Sequence, residues 1–141
     1  MVHVSDEGMF DAPLEKIWRF LNDDNPTTHQ HSSVKFSKVL EQNDKGMTSE
    51  VEVKNPDGSW RKETWKFDFN PPKGFSLEIT GGPMKGTKHT HTYSPMGNKT
   101  KVVVEGEFVA QGMDDASLKK AALGMLEQVF NEDSASLKNY K

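Results

Sequence analysis

The chain has 141 residues, no cysteine, and a formal net charge of −3 from 18 basic and 21 acidic side chains, with a mean hydropathy of −0.76. That length suits one ordinary domain. The lack of cysteine excludes disulfides, thiolate catalysis and Cys-type zinc sites, and a slightly negative chain is poorly suited to a phosphate backbone, so no nucleic-acid partner is expected.

No apolar run approaches the ~18–20 residues of a membrane span, and Met1–Glu7 lacks the basic-then-apolar layout of a signal peptide. A cytoplasmic domain with no membrane span is expected. Read in order, His3 to Phe10 forms a first strand. Asp11-Ala12-Pro13-Leu14-Glu15 then carries helix-start signals, with Asp11 as an acidic cap candidate and an early proline. Leu14, Ile17, Trp18 and Leu21 fall on one helical face. Asn25 to His31 follows as a loop or a short second helix.

Val34 to Glu41 is a second strand, and five alternating runs succeed it. Met47, Ser49, Val51 and Val53 share one parity; so do Glu63, Trp65, Phe67 and Phe69. Phe75, Leu77 and Ile79 come next, then His89, His91 and Tyr93, then Val102, Val104, Gly106 and Phe108. Alternation of this kind marks antiparallel strands with one wet and one buried face. Asn55-Pro56-Asp57-Gly58 and Asn70-Pro71-Pro72-Lys73-Gly74 punctuate the runs as turns. From Asp114-Asp115 to about Tyr140 the period becomes helical, with an apolar stripe through Leu118, Ala122, Met125, Leu126, Val129 and Leu137. Such a helix is roughly 40 Å long and must lie on a sheet to bury that stripe.

The fold class is therefore α+β: a curved antiparallel sheet of about seven strands wrapped around a long C-terminal helix, with one or two short helices after the first strand. Ala121, Ala122 and Gly124 keep the helix slim. A slim helix against a curved, aromatic sheet can leave a hollow, with close packing as the competing outcome.

The opening Phe10-Asp11-Ala12-Pro13-Leu14-Glu15-Lys16-Ile17-Trp18, the long final helix, and Tyr93-Ser94-Pro95 followed by Gly97-Asn98-Lys99-Thr100-Lys101-Val102 resemble the START / birch-pollen-allergen-like (SRPBCC, helix-grip) superfamily. The resemblance covers nearly the whole chain and implies a single helix-grip domain over residues 1–141. It also implies a deep cavity between sheet and C-terminal helix that holds apolar small molecules. Members include lipid and sterol carriers, plant hormone receptors, polyketide cyclases and quinone-binding chaperones. The superfamily has no universal catalytic motif to carry over.

Several groups could carry chemistry. His89 and His91 point to one face of a strand, ~6.6 Å apart at their bases, and Tyr93 continues that face. Facing the hollow, they could do acid–base work or contact a ligand. Facing away, His89 is solvated at the mouth and His91 bonds a neighbouring strand. A metal would need a third ligand, and only His29 or His31 could fold over to supply it; no metal is expected. His29 and His31 read either as polar surface or, in the place the resemblance gives them near the entrance, as a gate that charges near neutral pH. Glu63 shares parity with Trp65 and could act as an acid or orient a ligand, unless its strand end projects into water. Lys62, Lys66, Glu50 and Glu52 read as cross-strand charge pairs on the convex face.

Gly81 to Gly86 has phosphate-loop spacing, but an alternating strand follows instead of a helix, so nucleotide binding is rejected. Those glycines suit a loop across the cavity mouth, with Met84 as an apolar plug. Asp133 interrupts the apolar stripe, which means either an overhanging helix or a polar partner. The expected ligand contacts are Trp65, Phe67, Leu77, His89, His91, Tyr93, Val104, Met125 and Val129, around a chamber of ~300 Å³ or more beside His91. The leading function is a carrier or sensor of a small hydrophobic molecule such as a lipid, quinone or polyketide, with no cofactor. The alternatives are a cofactor-independent cyclase or dehydratase using His91, Tyr93, Glu63 and His89, and a chaperone-regulator-type protein-interaction domain.

Overall fold

The computed structural model describes residues 1–22, 32, 34–55 and 57–140. The readings placed on 23–31, including the histidine gate and the second short helix, lie outside the described residues. The element order is β1 (Val2–Phe10), α1 (Leu14–Leu21), β2 (Val34–Asn43), β3 (Gly46–Lys54), β4 (Trp60–Asn70), β5 (Gly74–Gly81), β6 (Lys88–Met96), β7 (Lys99–Phe108) and α2 (Asp115–Asn139). All seven strands pair antiparallel in one sheet, ordered β1-β7-β6-β5-β4-β3-β2. This is the α+β helix-grip arrangement expected from the alternation.

Period-two patterning becomes a two-faced sheet because the register keeps like parities opposite one another. Phe67 faces Leu77 across β4 and β5. Leu77 faces His89 and Phe75 faces His91 across β5 and β6, while His91 faces Val104 across β6 and β7. Gly106 sits opposite His89. A Cβ there would come within 2.2 Å of the Lys88 carbonyl and 2.4 Å of the His89 Cα, so the missing side chain lets β6 and β7 pair closely. Gly8 has a comparable role on β1, since a Cβ would meet the Phe130 ring at 2.6 Å.

α2 begins where the sequence places it, and Asp114 caps it, its Oδ1 accepting from the Ser117 N–H at 2.8 Å. The expected cap of α1 is corrected: Pro13 holds the N-cap position with no side-chain cap, and Asp11 lies outside it. Proline brings a fixed φ and no N–H to satisfy, so the helix begins without a carboxylate. Trp18 secures α1 instead, donating Nε1–H to the Pro72 carbonyl at 3.0 Å.

The slim-helix argument is corrected as well. Ala122 is buried against the sheet, but Ala121 and Gly124 face outward. At 100° per residue they lie off the Leu118–Ala122–Leu126 line. The space beneath α2 comes from its placement, for α2 lies closest to β1 and β7. There Val4, Phe10, Ile17, Phe20, Phe108 and Leu118 form the main core.

Of the expected convex-face charges, Glu52 stands opposite Lys62, whereas Glu50 stands opposite Thr64 and Lys66 meets Glu78 on β5. Neither couple closes to an ion pair among the described residues, because exposed charges gain little from fixing two long side chains.

Candidate functional site

A cavity of about 160 Å³ lies between α2 and the β4–β6 part of the sheet. It falls below the ~300 Å³ at which ligand pockets usually begin. β4 supplies Trp65 and Phe67, β5 Phe75 and Leu77, β6 His89, His91 and Tyr93, β7 Val104, and α2 Met125 and Val129. Every residue expected at the ligand thus faces this one chamber, as does Glu63. A second hollow, about 440 Å³, runs along α2 past Glu127 and Glu132. It is an open trough with no ring or imidazole among the described residues of its wall, so the more sheltered chamber is the candidate site.

A histidine pair is one polar feature of that chamber. His91 Nε2 and His89 Nδ1 are 3.0 Å apart and share a hydrogen bond. His91 stacks on Phe75 at 4.4 Å, and His89 on Phe108 at 5.3 Å. The reading of His89 as a solvated mouth residue is corrected, since it is only 6% exposed. His91 bonds its neighbour on the same strand, not the adjoining strand.

Burial pushes His89 down to about 4. Burial, with the neighbouring His89 charge adding, pushes His91 well below its ordinary value. Both rings are thus neutral at pH 7. Two neutral imidazoles sharing one proton leave one free donor and one free acceptor between them, whichever tautomer holds. Tyr93 packs edge-on to Trp18 at 5.8 Å. Burial, with the Asp133 carboxylate adding, pushes its phenol above the ordinary value, so it remains a neutral hydrogen-bonding group.

Glu63 is 2% exposed, which corrects the reading of a wet strand end. β4 starts at Trp60, placing Glu63 three residues inside the strand. Glu63 Oε2 accepts from Arg61 Nε at 2.9 Å, and Oε1 accepts from Trp65 Nε1 at 2.9 Å. Arg61 lines the chamber and was not singled out from the sequence. Its signal was available: it shares parity with Glu63 and Trp65, so all three project from one face. Asp133 also lines the chamber, which resolves its place in the apolar stripe.

Met84 lies in the chamber wall as expected. Its loop runs from β5 into β6, as the rejection of a phosphate loop requires. Buried Thr87 ties that loop to the end of β7: its Oγ1 donates to the Val109 carbonyl at 3.0 Å and accepts from the Val109 N–H at 2.9 Å. Among the described residues, no group of three His, Cys, Asp or Glu side chains could hold a metal ion. No helix among them is long and apolar enough to cross a membrane.

A sheet that grips one long helix over a lined chamber defines the START-like helix-grip class. The chain belongs to the polyketide cyclase / dehydrase and lipid transport family, whose model matches residues 1–140. Among solved structures, a START superfamily protein from Mycobacterium smegmatis superposes with a TM-score of 0.80 at 15% identity, over 99% of each chain. Ara h 8.0201 superposes with a TM-score of 0.76 at 13% identity, over 98% of each chain. The Zhui aromatase/cyclase from Streptomyces sp. R1128 gives 0.71 at 15% identity, over 96% of this chain and 90% of that one. At such identities the likeness concerns the fold. No curated protein matches the sequence.

Proposed function

We propose that the protein binds a small hydrophobic ligand in the chamber between the sheet and α2, as a carrier or sensor. One observation carries this reading: a sheltered, partly open, aromatic-walled space of about 160 Å³ with a neutral histidine pair in its wall. An apolar cavity near ~150 Å³ stays dry and accepts a benzene-sized guest. A few convergent polar groups in an apolar wall are the usual make-up of a ligand pocket. Native mass spectrometry of gently purified protein tests the reading. A retained small molecule, or a mass shift with a quinone, fatty alcohol or sterol, is expected. The apo mass alone under all of these conditions overturns it.

A second reading, a cofactor-independent cyclase or dehydratase, draws on the imidazole lone pair beside Tyr93. It ranks behind the first because a general base works best with a pKa near the operating pH, and burial holds His89 at about 4. Loss of turnover of a discovered substrate in His91→Ala and Tyr93→Phe would raise this reading above the first.

A further inference from the structure

The chamber also has a legible charge preference, an inference that rests on the binding reading above. Among the described residues that line it, the one guanidinium is Arg61. Its Nε donates to Glu63 Oε2 at 2.9 Å, its Nη1 donates to Asn55 Oδ1 at 2.8 Å, and its Nη2 lies 3.4 Å from Met84 Sδ. The Glu63 side chain is 1% exposed and that of Arg61 19% exposed, so this is an internal ion pair. The positive charge is matched before any guest arrives.

The other basic groups in the wall, His89 and His91, share one hydrogen bond, carry no charge at pH 7 and lie on phenylalanine faces. The Asp133 carboxylate, close enough to act on Tyr93, adds negative potential. A guest carboxylate would lose its hydration and meet no uncommitted cation among these residues, an unfavourable exchange for any ion. An alcohol, phenol or ketone loses far less hydration. It finds the donor and the acceptor that the histidine pair presents.

We propose that Glu63 is the charge selector of the chamber: by holding Arg61 in an internal ion pair it reserves the space for uncharged amphiphiles and turns carboxylates away. Arg61, if released, would become an anion site in the same wall, since a guanidinium pairs readily with a carboxylate.

Benzyl alcohol and benzoate test this, being ring compounds of similar size that differ in charge. Each is titrated at pH 7.5 into ¹⁵N-labelled wild-type protein and into Glu63→Gln, with amide shifts read by NMR. Gln keeps the shape and can still accept from Trp65. The wild-type protein is expected to bind benzyl alcohol at least tenfold more tightly than benzoate. In Glu63→Gln the benzoate-to-alcohol affinity ratio is expected to rise at least tenfold. Equal affinities in the wild-type protein overturn the selection while leaving the binding reading intact, and that comparison needs no variant to fold. An unchanged ratio in a folded Glu63→Gln overturns the role of Glu63. If neither compound shifts any chamber amide at millimolar concentration, the binding reading falls and the selector with it.

Discussion

Around Val4, Phe108 and Leu118 the interior is closely packed; where α2 faces β4, β5 and β6 it stands off and borders a chamber. In the solid part Val4 is 1% exposed, Phe108 0% and Leu118 2%. Around the chamber Trp65, Phe75 and Met125 are only partly buried. One helix thus serves two purposes along its breadth. Stability concentrates on the β1–β7 side, where each side chain has neighbours all round. The chamber wall, with empty space on one side, is freer to accept a guest.

The largest test of that division truncates one large side chain on each side. Phe108→Ala should cost ~3–5 kcal/mol, as full truncation in a closed core does, while Met125→Ala in the chamber wall should cost under ~2 kcal/mol. Urea unfolding measures both, and similar costs would erase the division.

Protonation gives the next effect. His89 titrates at about 4 in the folded protein against 6.5 ordinarily. Between those values the unfolded chain binds more protons, so stability is fully present above pH ~6.5 and is lost as pH falls toward 4. A shift of that size corresponds to roughly 3 kcal/mol. Unfolding midpoints at pH 7 and 4.5 should diverge strongly in the wild-type protein and much less in a His89→Gln, His91→Gln double variant, since burial also holds His91 well below its ordinary value. Parallel behaviour would mean that water reaches His89 freely.

Phe130 marks the border between the two regions. Its ring stacks on Phe10 at 4.7 Å and separates the chamber from a groove of about 330 Å³ beside Asp6, Glu7 and Gly8. Phe130→Ala should cost ~2–3 kcal/mol, less than a closed-core truncation because the ring is half-buried. It should also improve binding of two-ring guests relative to one-ring guests, as titrations of both would show. Least of all, Lys62→Glu on the convex face should move the unfolding midpoint by under ~0.5 kcal/mol, since Lys62 makes no ion pair among the described residues.

Much of the site could be read from residue order. Parity placed His89, His91 and Tyr93 on one face with Trp65, Phe67 and Leu77 on neighbouring strands, because a strand's period of two is a local property. The Asp114 cap was equally readable, since its partner is only three residues away. Glu63 was harder. Parity turned it inward, but its burial depends on Arg61 folding over it and on where the β3–β4 hairpin ends. Asp11 misled because Pro13, two residues on, starts α1 without a side-chain cap. Ala121 and Gly124 misled because small size says nothing about which way a residue points.

Strand alternation, the helical stripe and its cap depend on contacts within a few residues, so the chain alone carries them, and with them the helix-grip architecture. The lean of α2 toward β1 and β7 is of another kind. It is set by packing among side chains about a hundred residues apart, such as Val4 against Phe108 and Leu118. No local pattern encodes a balance summed over the whole core. That lean opened the chamber and held it to about 160 Å³.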